Sequence, residues 1–558
     1  MFFILGDSWQ GMLPNFTDTL NFARVHTIGE GHLTAGNPYF LEHSDGPPLV
    51  VFGGAWLNAI PLLAGVPFTE AMTINFVIWS LLFAVSFYWL CRTLRIHKWI
   101  AVAGTIFIYL QSFLHVWRPA NMQPVYPFFF LFYVALLYFM REQNRRNMLY
   151  LAISVGVGFY LFAYLWQMSV ITIGLLFLYA LILKKWSLMR TTLASSVIGV
   201  AIGSPVLFYT LWLSRAYPYF WESVGRLGLV NTHLPMAEVI YSGGWIGVTL
   251  TLLAVLYWRV RTFREDAEFL SLGLFLTVSG LGIWVLQGSN LITGKLLETG
   301  EHAVSFMIPW FVLAVLSLSV FLYAKRTQLS RSLQIYSAIT LLLLSGVCIR
   351  YHWSFPLPIS DADRNQLQTM QPYAKPFAWL QGNEGNPVVV WGNPSNAITS
   401  NIPVFTKHFT LYHYWGMLEL LPDSEVLERY LISQYFDDPT IEYLKNVDNM
   451  KMYLGRHDLP HASKTIERGI KICRILFFWD KNKECGTPPT PTELLGDKFF
   501  VDLEHKFRTN IKPNIKAYLK KYHVSYILKD KVLDPQYRPE VLGAVLVYTN
   551  DQYEIYRL

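Results

Sequence analysis

The sequence predicts an α-helical polytopic membrane protein of about ten spans, followed by a C-terminal extracytoplasmic α/β domain. Three observations carry this expectation. Of 558 residues, 53% are hydrophobic and only 15% charged, whereas a soluble domain holds about 25% charged residues. Apolar runs recur that are long enough to cross the roughly 30 Å hydrocarbon layer, which takes about 20 residues of helix. Charge is divided unevenly: residues 1–350 hold 21 Lys/Arg against 14 Asp/Glu, while residues 351–558 hold 24 of each. With a mean hydropathy of +0.31, disorder, coiled coil, collagen and a wholly soluble enzyme are excluded. The excess positive charge lies in the apolar part, so it points to membrane lipids rather than nucleic acid.

Three regions follow in order. Residues 1–70 read as an extracytoplasmic loop with interfacial helices. Within them, residues 17–29 form a short amphipathic helix capped by Thr17 or Asp18. Gly29, Gly31 and Gly36 break it, and Asn37-Pro38 and Pro47-Pro48 force extended chain. The apolar run 48–65 contains Gly53, Gly54, Asn58 and Pro61 and reads as a helix at the membrane surface rather than a span. MFFIL at the start is too short to cross a bilayer, and the expectation is that a transmembrane helix upstream of Met1 is missing.

Residues 71–350 form the transmembrane region, with windows at about 71–91, 99–117, 124–140, 148–166, 168–183, 190–214, 237–258, 268–287, 303–324 and 333–350. The fourth and fifth are divided only around Trp166-Gln167, which reads as a tight helical hairpin. Alternate loops carry Arg92, Arg95 and Lys98; Arg141, Arg145 and Arg146; Lys184, Lys185 and Arg190; Arg259, Arg261 and Arg264; and Lys325, Arg326 and Arg331. The opposite loops hold only Arg118, Arg215, Arg226 and Lys295. Fifteen cations against four orients the basic side toward the cytoplasm and places both 1–70 and 351–558 outside, on a protein of the cytoplasmic membrane.

Chemistry-capable groups gather on the other side. His26, His32, His43, His115, His233, His302 and His352 fall there, as do Asp7, Asp18, Glu30, Glu42, Asp45 and Glu70. The span interiors are nearly free of ionisable groups, which an ion-coupled transporter would need. Each outer residue taken alone reads as a solvated or headgroup-anchoring side chain; their clustering is what suggests a site.

The first loop combines Asp18, Phe22 and Arg24 with Glu30-Gly31, Asn37-Pro38 and Pro47-Pro48-Leu49. In this it resembles the GT-C superfamily, polytopic glycosyltransferases that use lipid-phosphate-linked sugars. Protein O-mannosyltransferases, aminoarabinose transferases and the catalytic subunit of oligosaccharyltransferase belong to it. The plan of basic-inside spans followed by an outer soluble domain is similar too. The resemblance implies a polyprenyl-phosphate sugar donor, an acceptor that is a glycan, lipid or protein, and inversion at the anomeric carbon. It carries the catalytic acid onto Asp18, with Asp7 as the second candidate. Many members have a second acid where this chain has Thr19, so no metal-ligand set is assigned; the cofactor implied is at most a divalent cation, Mg or Mn.

Such a reaction needs a carboxylate to take the acceptor's proton and cations to stabilise the departing phosphate. Asp18 suits the first role. Substrate-binding candidates are Arg24, Glu42, His43, His115, Arg118, Arg226, Lys295 and the adjacent pair Glu301-His302, because Arg and protonated His are multi-donor partners for phosphate. The competing expectations are a non-catalytic transporter or flippase of a lipid-linked or polar substrate, and a structural envelope protein.

Residues 351–558 read as a soluble α/β domain. Strands are expected at 387–393, 472–479, 524–530, 544–549 and 553–558, with helices around 422–435 and 511–522. Cys473 and Cys485 read equally as a loop-closing pair or as two free thiols. GNPSNA and IPVFTKH are candidate acceptor-groove loops.

Overall fold

Ten helices occupy the ten apolar windows: Phe68–Thr93, Lys98–Gln111, Met122–Arg141, Arg145–Leu161, Ala163–Ile182, Trp186–Ala216, Ala237–Arg259, Ala267–Gln287, Thr299–Ala324 and Arg331–His352. They belong to a computed structural model that describes residues 9–13, 19–111, 120–235, 237–296, 299–352, 361–446, 456, 458–480 and 483–558. Among the described residues, seven of these helices are long and apolar enough to cross a membrane; the helices at 98–111 and 145–161 are shorter, with 14 and 17 residues. The fourth and fifth helices divide at Phe162, whose backbone is extended, rather than at Trp166-Gln167. Trp166 is helical and stacks on Phe159, with ring centroids 4.4 Å apart.

Small residues bring the helices together. Ala152 and Gly156 face Gly199 of the 186–216 helix, where a Cβ added at Gly199 would sit 3.0 Å from the Ala152 carbonyl oxygen, and Gly203 makes room for the Phe159 ring. In a bilayer, where lipid competes equally for apolar surface, such close backbone approach is a main source of helix association. Pro205 removes one donor from that helix, and Ser204 Oγ donates instead to the Ala201 carbonyl at 2.8 Å. Elsewhere aromatic rings fill the core: Phe83, Phe129, Phe130, Tyr133, Phe306 and Trp310 are all buried, and Trp310 Nε1 donates to Ser279 Oγ at 2.8 Å.

Basic-loop residues close helix C-termini, whose last carbonyls have no partner within the helix. Arg141 donates to the Thr93 carbonyl and Arg264 to those of Tyr257 and Trp258, at 3.1 and 2.7 Å. Arg326 donates to the Tyr323 carbonyl at 2.9 Å.

The 48–65 run contains a helix only at Gly53–Leu63, 11 residues or about 16 Å at 1.5 Å per residue, too short to span. It packs on the helix Thr19–Gly29 through Leu62, against which a Cβ at Gly29 would collide. The capping positions expected for that helix, Thr17 and Asp18, lie outside the described residues.

Two short strands, β1 (Val230–Asn231) and β2 (Lys295–Leu296), tie together two loops between spans. The C-terminal sheet comprises β3 (Val389–Trp391), β4 (Phe409–Thr410), β5 (Val524–Asp530), β6 (Val545–Thr549) and β7 (Tyr553–Arg557), in the order β4-β3-β5-β7-β6. β3 runs parallel to β4 and β5, and β7 antiparallel to β5 and β6. Helices Ala374–Asn383, Ala397–Phe405, Asp423–Ser433 and Ile515–Lys521 surround it. The expected strand at 472–479 is instead the end of a helix, Asp458–Leu476, followed by a turn. Leu459, Thr465 and Ile470 make its buried face, and Glu467 pairs with Lys471 one turn on. Cys473 and Cys485 form a disulfide.

Residues 19–63 share an apolar core with the C-terminal sheet: Phe22, Val25, Tyr39, Phe40 and Ala59 cluster with Trp391, Leu411, Tyr430 and Ile527. The Tyr39 carbonyl accepts from Thr410 N at 2.8 Å, beside β4.

If the glycine contact zips the 145–161 and 186–216 helices, Gly156→Leu, whose Cβ alone would come within 2.5 Å of Ile202, should destabilise the fold by about 1–3 kcal/mol, as overpacking does. Thermal unfolding in detergent, compared with the conservative exposed change Val197→Leu, measures it.

Candidate functional site

The N-terminal loop, the end of the 186–216 helix and the segment 411–429 meet in a charged junction at one end of the helices. That helix has 31 residues, about 46 Å at 1.5 Å per residue, so it outruns the hydrocarbon layer. Its last turns carry Tyr209, which donates to the Pro48 carbonyl at 2.7 Å, and Leu213, buried with Leu49, Phe220 and Leu420. The Pro-Pro-Leu run is thereby seated on the span. Asn37 turns the loop: its Oδ1 accepts from Tyr39 N and Phe40 N at 2.9 and 3.2 Å, and its Nδ2 donates to the Gly416 carbonyl at 2.7 Å. A Cβ at Gly416 would lie 2.8 Å from both Phe40 Cζ and Tyr39 Cβ, so this close approach requires glycine.

Four of the sequence-selected residues converge here. Arg24, on the 19–29 helix, is buried and pairs with Glu419. Its guanidinium also donates to Asn21 Oδ1 at 3.1 Å and lies 3.9 Å from the Phe52 ring centroid. Arg24 Nε and Glu419 Oε2 are buried without a hydrogen-bond partner. Arg226 is 1% exposed and closes the Phe220–Arg226 helix. It donates to the carbonyls of Met417, Glu419 and Leu421 at 2.8, 3.2 and 2.7 Å. It also reaches Ser223 Oγ at 3.1 Å and pairs with Asp423. Arg24 and Arg226 therefore grip the same segment, one by its side chain and the other by its backbone.

Glu42 and His43 engage the neighbouring 423–433 helix. Glu42 accepts from Arg429 Nη2 at 2.7 Å, and His43 Nε2 lies 3.0 Å from Glu425 Oε1. Glu425 also accepts from Arg429 Nε at 2.8 Å. Arg429 is fully buried between the rings of Phe40 and Tyr522, 4.3 and 4.0 Å from their centroids. Burial alone would raise the Glu425 pKa, but the His43 hydrogen bond and the Arg429 charge outweigh it and hold the carboxyl at about 2. His413 stacks on Tyr39 at 5.0 Å, and burial pushes its pKa down to about 3, so it is a neutral packing and hydrogen-bonding group at neutral pH.

The other selected residues are placed differently. Lys295, on β2, is exposed and lies 4.6 Å from the Trp221 ring centroid. Glu301 and His302 fall in the first turn of the 299–324 helix, and their side chains lie outside the described part. Asp7, Asp18, His115 and Arg118 are outside the described residues. The chain flanking two of those stretches enters one apolar cluster, however: Ala120 is buried with Phe22 and Ala23. Among the described residues, no group of three or more His, Cys, Asp or Glu side chains is placed to hold a metal ion. GNPSNA and IPVFTKH serve local structure: Asn396 caps the 397–405 helix, Asn393 donates to Asp534 Oδ1 at 2.7 Å, and His408 Nε2 lies 3.0 Å from the Leu380 carbonyl.

The partners Glu419, Asp423, Glu425 and Arg429 went unselected in the sequence. Their one local signal is the concentration of acids in GMLELLPDSEVLER, with Glu425 and Arg429 one helical turn apart.

Two outcomes follow from these contacts. A carboxylate whose pKa is depressed on folding stabilises the folded state above its unfolded pKa near 4.3, and that contribution fades as pH falls through the folded value of about 2. Glu425→Gln should therefore be less stable than the parent at neutral pH by about 3 kcal/mol, and the difference should close between about pH 4 and pH 2 in parallel thermal scans. Arg226→Ala should leave carbonyls of 417–421 buried and unpaired, costing about 3 kcal/mol or more. Limited proteolysis should then cut the 411–423 segment in the variant and leave it intact in the parent.

Compared with known protein families and with curated proteins, the sequence matches none.

Proposed function

We propose that this protein is a membrane glycosyltransferase of the GT-C type, moving a sugar from a polyprenyl-phosphate donor to an acceptor outside the cytoplasmic membrane. All ten helices at the apolar windows cross the bilayer in this reading. The basic loops face the cytoplasm, and residues 1–70 and 351–558 lie on the other side. The disulfide between Cys473 and Cys485 supports that orientation, because disulfides persist in oxidising compartments.

One observation carries the proposal. The residues of the resemblance, Phe22, Arg24, Asn37 and Pro48-Leu49, fold into one unit with the C-terminal region, seated on the end of a span. A donor whose lipid lies in the membrane presents its phosphate and anomeric carbon at that level. An acceptor hydroxyl attacks the anomeric carbon as its bond to the phosphate oxygen breaks. The bonding pair leaves with the phosphate, and the hydroxyl proton passes to a carboxylate, the role assigned to Asp18, with Asp7 as the second candidate. Attack opposite the leaving group inverts the centre. His115, Arg118, Lys295 and Glu301-His302 are the candidates for holding donor or acceptor. Arg24, Glu42, His43 and Arg226 instead position the loop, since each is engaged by the C-terminal region. Any divalent cation would assist the phosphate's departure; the described side chains offer no built set of ligands for one.

Membranes containing the protein, supplied with lipid-linked sugar, test the reading. Asp18→Asn should lower transfer by about 100-fold or more, the scale of a lost general base, at unchanged expression. Unchanged turnover removes Asp18 from the mechanism, and absence of any transfer by the parent across donor sugars overturns the assignment.

A further inference from the structure

The Asp458–Leu476 helix ends in a surface that neither the C-terminal core nor the junction uses. From Ile475 to Trp479, five consecutive apolar residues are between 40% and 77% exposed. The chain turns at 477–480, with Asp480 N donating to the Phe477 carbonyl at 3.0 Å, and returns so that Cys485 bonds Cys473. Arg474 Nη2 donates to the Gly486 carbonyl at 3.3 Å across the same closure. The result is a covalently closed knuckle with an apolar tip. An exposed run of this kind marks an interaction surface.

Its place in the fold says what covers it. A Cβ at Gly469 would sit 3.4 Å from Leu234 Cδ1, and Leu234 lies three residues after the end of β1. The β1–β2 ribbon lies between span helices in both of its loops, so the helix is seated on the ends of the spans. From Gly469 it continues to Leu476, about 10 Å at 1.5 Å per residue. Around the ribbon other large apolar side chains are also exposed: Trp221, Leu291 and Ile292. Aromatic and aliphatic side chains at this level, with lysines beside them, compose the membrane interface of a spanning protein. Lys483 lies 5.3 Å from the Phe477 ring centroid, and Lys471 is exposed.

We infer that the turn at the end of this helix, held by the Cys473–Cys485 disulfide, inserts its apolar tip, Ile475 to Trp479, into the lipid interface of the membrane that holds the spans. It gives the C-terminal region a second attachment to the bilayer. Residues 467–485 hold five Lys/Arg (468, 471, 474, 481 and 483) against the three acids Glu467, Asp480 and Glu484, so burial of the apolar tip drives the insertion in zwitterionic lipid and the residual positive charge adds attraction for anionic headgroups. The inference is independent of the transferase reading.

The test uses the full chain in phosphatidylcholine nanodiscs. Phe478→Cys, at a strongly exposed site, is labelled with a polarity-sensitive fluorophore; Cys91 and Cys348 are buried, and Cys473 and Cys485 are bonded. A second label at Lys498→Cys, on an 86% exposed side chain, is the reference. Nitroxide-labelled phosphatidylcholine should quench the 478 probe several-fold more than the 498 probe, with blue-shifted emission and protection from aqueous iodide. Iodide quenching equal to the reference overturns the inference in favour of a water-facing tip. Protection from both quenchers, with cross-linking between two copies through position 478, overturns it in favour of a protein partner.

Discussion

Arg226 is the contact on which the junction depends. A guanidinium that is 1% exposed forfeits its hydration and must recover it from protein acceptors. It does so by drawing together the carbonyls of Met417, Glu419 and Leu421 with Ser223 and Asp423. Because Arg24 holds the Glu419 side chain, the segment has no freedom to leave while both cations are paired. The N-terminal loop, the span end and the C-terminal sheet are thus bound by charges that none could bury alone. The geometry also assigns roles: a side chain fully spent on backbone carbonyls positions the loop and is not free to receive a phosphate.

Much of the helical framework could be read from the chain. Hydropathy alone located all ten helices, because a run of some twenty apolar residues has few other folded solutions. Local errors came where apolarity was read without its period. ICRILFFW has the composition of a buried strand, yet it continues a helix whose inward face is Leu459, Thr465 and Ile470. Polar Gln167 marks a gap in hydropathy between the fourth and fifth helices, whereas the backbone opens at Phe162. For the junction, charge position was legible and pairing was not. Arg24 and Glu419 are 395 residues apart, and Glu42 and Arg429 are 387 apart. No local pattern encodes such a partner.

The basic loops serve two physical ends at once. Lys/Arg-rich short loops bias a spanning protein toward one orientation, and here several of the cations also answer the unpaired carbonyls at helix ends, as Arg141, Arg264 and Arg326 do. Lys325 extends this by pairing at 2.6 Å with Asp266, whose carboxylate caps the next helix. A substitution chosen to alter topology would therefore also fray a helix end.

The unbroken 186–216 helix has a mechanical consequence. A rod of 31 residues sets a fixed height for the contacts at Pro48 and Leu420 above its own N-terminal end. Deleting one residue would lower that platform by only about 1.5 Å but swivel it by about 100°, turning Tyr209 and Leu213 away from their seats. Elevation and azimuth are thus locked to one count of residues, and evolutionary change in this rod would be expected in whole turns.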